Sequence, residues 1–189
     1  KWGQIEKAIE KYRRAVELDP LDPEYHHNLG SSLLRVKDLA GTERALLKAI
    51  ELRENYAKAH NNLGLLRALQ NRTGQASKLF HKAIELDPHL ADPWNNLTKM
   101  HLDQNDIIQA QKCLAEAQKI YPIHLTTIRN QVALAKMHAT SGQFDEAIKL
   151  IGEAIDAANF ADENEQRIDA YRQLLKAYRD GQIPTPSNH

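Results

Sequence analysis

Ala83-Ile84-Glu85-Leu86-Asp87-Pro88 is the phrase that decides the fold, because the chain repeats it. Ala15-Val16-Glu17-Leu18-Asp19-Pro20 and Ala49-Ile50-Glu51-Leu52-Arg53-Glu54 precede it at intervals of 34 residues, and Ala117 to Pro122 continues the series. A second phrase keeps the same step: Asn28-Leu29-Gly30, Asn62-Leu63-Gly64 and Asn96-Leu97-Thr98. A period of this length specifies a two-helix unit that buries its apolar face only against its neighbours.

Within a unit the apolar spacing is helical. Tyr25, Leu29, Leu33 and Val36 form one stripe, and Ala45, Leu46, Ala49, Ile50 and Leu52 form the stripe of the following helix. Asp22-Pro23 and Asp92-Pro93 read as an N-cap acceptor followed by proline at the first helical position, where the missing N–H is harmless. Gly41, Gly74 and Gly142 fall near the turn between paired helices, and Pro20, Pro88 and Pro122 close the second helices. The pattern predicts helices over 4–18, 23–36, 40–52, 57–70, 74–86, 93–104, 106–120, 128–140 and 143–158.

These residues resemble the tetratricopeptide repeats over nearly the whole chain. That family places a large residue at repeat position 4, Leu at 7, Gly or Ala at 8, Ala at 20, a large apolar residue at 24, Ala at 27 and Pro at 32. Counted from Ala57, the chain supplies His60, Leu63, Gly64, Ala76, Phe80, Ala83 and Pro88; counted from Ala91, it supplies Trp94, Leu97, Thr98, Ala110, Leu114, Ala117 and Pro122. Thr42 departs from the pattern at position 20, and Glu54 replaces the closing proline, which predicts a looser turn near residue 54. The fifth unit fits only if it starts at Ile128, so three extra residues are assigned to the turn Ile123 to Thr127.

The resemblance implies an all-α, right-handed α-solenoid of helix-turn-helix hairpins with a C-terminal capping helix, as one domain over 1–189. Its parts are the second helix of a truncated repeat (1–22), full repeats over 23–56, 57–90 and 91–124, a fifth over 128–161, a capping helix over 162–181 and a flexible tail over 182–189. Asp162 with Glu165 reads as the capping box of that last helix, and Ile168, Tyr171, Leu175 and Tyr178 as its packing stripe. Helix 4–18 has no preceding partner, which leaves Ile5, Ile9, Tyr12 and Trp2 poorly covered. Two expectations follow: a longer array, or a weak homodimer through this edge.

Function is sought in the concave groove that the resemblance assigns to the first helix of each hairpin. The slots it points inward hold His27, Asn28, Ser31 and Arg35, then Lys58, Asn61, Asn62 and Leu65, then Asn95, Asn96 and Lys99, and in the fifth unit Arg129 and Lys136. Asn28, Asn62 and Asn96 make a ladder whose amides, each donor and acceptor, suit the backbone of an extended peptide. The alternative is that asparagine in this slot supports the hairpins. A dicarboxylate clamp of the family's kind needs Lys and Asn on one first helix, Asn on the next, and Lys and Arg on the third; His27 and Ser31, then Asn62, then Asp92 and Asn96 stand there, so the converging cations are lacking and the clamp is rejected. Ala59-His60-Asn61-Asn62-Leu63-Gly64 is similar to repeats of the O-linked N-acetylglucosamine transferases, which raises a second reading: a substrate-recruiting region of a larger enzyme. A third is a scaffold that self-assembles through its N-terminal edge.

Composition limits the other classes. Lys plus Arg and Asp plus Glu are equal at 25 each, so no strong field invites nucleic acid or an anionic membrane surface. No apolar run approaches the roughly 20 residues that span a bilayer. Cys113 is the single cysteine, which denies a disulfide framework or thiolate cluster and favours a cytoplasmic setting. Nine histidines invite a metal site, but His26 and His60 share position 4 and His101 and His138 share position 11, both packing slots, while His81 and His89 read as solvent-facing. No His-Glu-x-x-His helix, phosphate loop or nucleophile elbow completes a catalytic or cofactor site. The expectation is a non-catalytic module without metal or cofactor, whose partner is a protein or peptide.

Overall fold

The structure is a computed structural model that describes residues 2–184, without the side chain of Trp2; most of the predicted tail lies outside that range. The described residues form ten helices, α1 (Trp2–Leu18), α2 (Pro23–Arg35), α3 (Leu39–Leu52), α4 (Ala57–Leu69), α5 (Thr73–Leu86), α6 (Ala91–Asp103), α7 (Ile107–Ile120), α8 (Leu125–Thr140), α9 (Phe144–Phe160) and α10 (Glu165–Arg179). They fall into two compact units that divide after Pro93.

In the first unit α2 pairs with α3 and α4 with α5, while α1 packs on α2 and α3 on α4. The close approach is made by glycine. A Cβ on Gly64 would stand 2.6 Å from Phe80 Cε1, and one on Gly30 would stand 2.8 Å from Leu46 Cγ. Phe80 and Leu46 are 1% and 0% exposed, so each fills the space its glycine leaves. Burial of such a side chain contributes roughly 1.5–3 kcal/mol. Thr42 is also fully buried, and its hydroxyl donates to the Asp38 carbonyl at 2.7 Å, so the departure at position 20 brings its own partner. Ile9 is 7% exposed, which corrects the expectation that it is bare; Ile5 and Tyr12 are half-buried.

In the second unit α8 pairs with α9, α10 packs on α9 and α7 on α8. One core joins Leu114, Ile128, Leu134, Ala147, Ile151, Ile168 and Tyr178. The last helix covers this core as expected, with Ile168, Tyr171 and Tyr178 buried. Its start differs from the capping-box reading. Asn164 is the N-cap and accepts from the Gln166 N–H at 2.9 Å, while Asp162 sits in the preceding turn with φ of 51°.

The turns show how the period is kept. Lys37, Asn71, Asn105 and Gly142 are all left-handed, and the next residue of each returns its N–H to a carbonyl five residues back: Asp38 to Leu33, Arg72 to Arg67, Asp106 to His101 and Gln143 to His138. This is the Schellman closure of a helix C-terminus. Gly41 and Gly74 lie near these turns but not in them, in the first turns of α3 and α5. Asp38 and Asp106 follow the closure and cap the next helices through Gly41 N–H and Gln109 N–H. Asp92 and Pro93 lie inside α6, which starts at Ala91, so that pair is not a cap.

The turn near residue 54 is not loose. Tyr56 N–H reaches the Arg53 carbonyl just as Leu90 N–H reaches that of Asp87 and His124 N–H that of Tyr121. His60 Nε2 lies 2.9 Å from the Glu54 carbonyl, as His26 Nε2 does from that of Pro20. The position-4 histidines therefore clip this turn, and proline is dispensable there.

The three extra residues are not in a turn either. The 34-residue step still holds at Tyr121 and His124, and is first broken at Gly142. The excess lies within α8, which has 16 residues where α2, α4 and α6 have 13. His124 caps it, accepting from Thr126 N–H, and Thr127 is fully buried in its first turn.

Candidate functional site

In the first unit, the ends of α2 and α4 and the α3–α4 turn surround an open pocket of about 570 Å³. Three of the residues expected in the groove, His27, Asn28 and Lys58, line it together with Glu24, Arg53 and Tyr56. Arg53 pairs with Glu24 at 3.4 Å and lies 4.8 Å above the Tyr56 ring, whose other neighbour is the His27 ring at 5.0 Å. The wall thus sets a cation over a phenol, with the imidazole tilted at 47° to the phenol ring. Lys58 is exposed beside it. Burial raises the Tyr56 hydroxyl above its ordinary range, aided by Glu24 and opposed by Arg53, so the phenol stays a donor.

The asparagines do more inside the fold than the sequence suggested. Asn62 is half-buried; its amide donates to His27 Nε2 at 3.1 Å and its Oδ1 accepts from Asn61 at 3.3 Å. Asn61 and Asn95 are 4% and 1% exposed, so their amides are closed off from an open surface. In the second unit Asn95 donates to Thr127 Oγ1 at 2.9 Å and receives Asn130 at its carbonyl and at its Oδ1. Asn130 lies 34 residues after Asn96 and is the fourth rung of the ladder. Counting the fifth unit from Ile128 hid it, because the first turn of α8 still follows the older phase. Rungs two and four therefore make the same contact, from position 6 of one hairpin to position 5 of the hairpin before.

The remaining expected residues are placed as follows. Ser31 and Leu65 are half-buried on α2 and α4, and Arg35 is exposed in the last turn of α2. Asn96 is half-buried on α6, and exposed Lys99 is paired with Asp103 at 3.0 Å. Lys136 is exposed on α8. Arg129 is exposed but bonded at 3.3 Å to Glu163, a carboxylate that is 6% exposed and also meets Arg167 at 3.7 Å. Val132 and Ala139, on the same helix, are buried in the core. Arg129 also borders a second open pocket of about 570 Å³, lined by Tyr121, Ile123, Leu125 and the 79% exposed Phe160.

Among the described residues no group of three or more His, Cys, Asp and Glu is placed to hold a metal ion. His138 is engaged on both sides, by Gln111 at Nε2 and Gln143 at Nδ1. Burial pushes the Cys113 thiol up to about 11, the opposite of what a nucleophile needs. No helix among the described residues is long and apolar enough to cross a membrane.

Comparison with known proteins agrees with this architecture. Residues 1–36 match the profile described as TPR repeat, and residues 57–90 the one described as tetratricopeptide repeat. A search of curated proteins finds no match. The solved structure of MamA is 22% identical with a TM-score of 0.68, over 83% of this chain and 90% of that one. TTC0263, a thermophilic TPR protein of Thermus thermophilus, is 19% identical with a TM-score of 0.72, over 93% of this chain and 92% of its own. YrrB, a TPR protein with an unusual peptide-binding site, is 20% identical with a TM-score of 0.66, over 96% of this chain and 95% of its own. At such identities the likeness is one of fold. Residues 1–36 and 57–90 therefore carry tetratricopeptide repeats, and the chain shares the fold of such proteins.

Proposed function

We propose that this chain is a non-catalytic protein-interaction module that holds an extended segment of a partner protein against the first helices of its hairpins, with 23–56, 57–90 and 91–124 as repeats, α8 and α9 as the hairpin of a further one and α10 as the closing helix. The observation that carries the reading is the polar pocket where His27, Asn28 and Lys58 meet Glu24, Arg53 and Tyr56. It offers donors, acceptors and both signs of charge in one open recess, which suits a peptide backbone with a polar side chain. The fold shared with YrrB, a TPR protein with a peptide-binding site, supports the same reading.

The ladder contributes less directly than its sequence suggests, since Asn62 and Asn130 join hairpins. That role also accounts for the Ala59–Gly64 phrase without kinship to a glycosyltransferase. The site therefore centres on Asn28 and Lys58. Peptides selected from a random display library on the wild-type protein test this. They should bind Asn28→Ala, Lys58→Glu protein at least about tenfold more weakly, the loss of about 1.4 kcal/mol. Unchanged affinity with intact helicity would refute the site.

A further inference from the structure

We propose that His27 is a proton-sensitive latch between α2 and α4: neutral, it ties the helices together through Asn62, and protonated it releases that tie.

The hydrogen-bond directions require a neutral ring. Nε2 faces Asn62 Nδ2 at 3.1 Å, a group with only hydrogens to offer, so Nε2 presents its lone pair. Nδ1 faces Asn28 Oδ1 at 3.2 Å, an acceptor, so Nδ1 carries the hydrogen. Asn62 is held in this orientation from its other end, where its Oδ1 accepts from Asn61 Nδ2 at 3.3 Å. The relay thus runs from Asn61 through Asn62 and His27 to Asn28. A proton on Nε2 would point at the Asn62 amide hydrogens. Reversing that amide would set its Nδ2 against Asn61 Nδ2, so one bond of the relay breaks in either case.

The surroundings favour the neutral form. Burial, the largest influence, holds His27 below the usual imidazole range; the Asn28 hydrogen bond opposes this, the Lys58 ammonium on α4 reinforces it, and Glu24 on α2 opposes it. The other ionisable groups of the pocket are Arg53, paired with Glu24, Tyr56, whose ring neighbours His27, and Asp87 at the rim. A group whose folded value is lowered contributes stability that is whole above its unfolded value, about 6.5 for histidine, and is lost as pH falls through the folded value. The latch therefore holds at neutral pH and lets go as pH falls through the folded value of His27.

The chain contains its own control, because Asn61 and Asn95 occupy the slot of His27 in the next two hairpins. Asn95 accepts from Asn130 at 3.2 Å in the contact that His27 makes with Asn62, without titrating. His27→Asn is therefore the test variant. Long-range proton–nitrogen NMR of the wild type should show the Nδ1–H tautomer at pH about 7.5 and a midpoint below 6.5 for His27. Between pH about 7.5 and 5.5 the wild-type melting temperature should fall by about 2 °C or more beyond the fall in His27→Asn. An Nε2–H tautomer, a midpoint at or above 6.5, or equal pH dependence of the two proteins would each overturn the latch. The NMR result stands even if the variant fails to fold, and none of these readouts requires a peptide.

Discussion

Adding a single methyl group at Gly64 tests the hairpin packing most directly. Built on the backbone, the new Cβ lies 2.6, 2.8 and 3.3 Å from three atoms of the Phe80 ring, where ordinary contact begins at 3.4 Å. The ring is 1% exposed, so α5 must move away from α4 by several tenths of an ångström or Phe80 must leave its rotamer. Overpacking of this kind costs about 1–3 kcal/mol. Alanine regains about 1 kcal/mol as the better helix former, so Gly64→Ala should destabilise by about 1 kcal/mol. Gly152, inside α9, has no atom within 4 Å of the place a methyl group would take and no left-handed backbone, so Gly152→Ala should stabilise by roughly 0.5–1 kcal/mol. Urea unfolding followed by far-UV circular dichroism should show the opposite signs, and hydrogen exchange should locate the loss in α4 and α5. Phe80→Leu should partly rescue Gly64→Ala, since the next repeat pairs Thr98 with Leu114 at these two positions. Equal stabilisation by both alanines would refute the packing argument.

Two further outcomes follow from the polar contacts. Asn130→Ala removes both donations to Asn95 and takes the partner from its buried Oδ1, so it should cost about 1–3 kcal/mol, read as a drop in the urea midpoint with faster exchange in α8; a neutral result would return Asn130 to the surface. Glu43 accepts from Arg67 at 2.6 Å, and that hydrogen bond holds its carboxyl below the ordinary value of 4.5. A lowered carboxyl contributes stability that is complete above the unfolded value and lost as pH falls through the folded one. Arg67→Met should therefore flatten the loss of melting temperature on the acid side of pH about 4.5, and an unchanged acid limb would show that the pair contributes nothing.

Much of the architecture is legible in the sequence because stacked hairpins impose the same small and large residues every 34 positions. Gly30 and Gly64 against Leu46 and Phe80 are that requirement written out. Helix positions followed to within a few residues, as did the burial of Ile168, Tyr171 and Tyr178. The pocket was legible in part: His27, Asn28 and Lys58 were named, while Arg53 and Tyr56 were not, because they come from a turn that only the hairpin stack brings beside α2.

Tertiary structure decided the rest. A three-residue excess can enter a turn or a helix, and the one-dimensional pattern is the same for both; the bonds of Tyr121 and His124 before it, and of Gly142 and Gln143 after it, put it in α8. Adjacent residues on a helix point about 100° apart, so Asn61 and Asn62 look alike in sequence while one is buried and the other reaches the pocket wall. The repeat phrase determined by itself that hairpins form and stack, because period and residue size are local properties of the chain. Which amides face a partner depends on the hydrogen bonds that neighbouring hairpins already claim, and those exist only once the hairpins are packed.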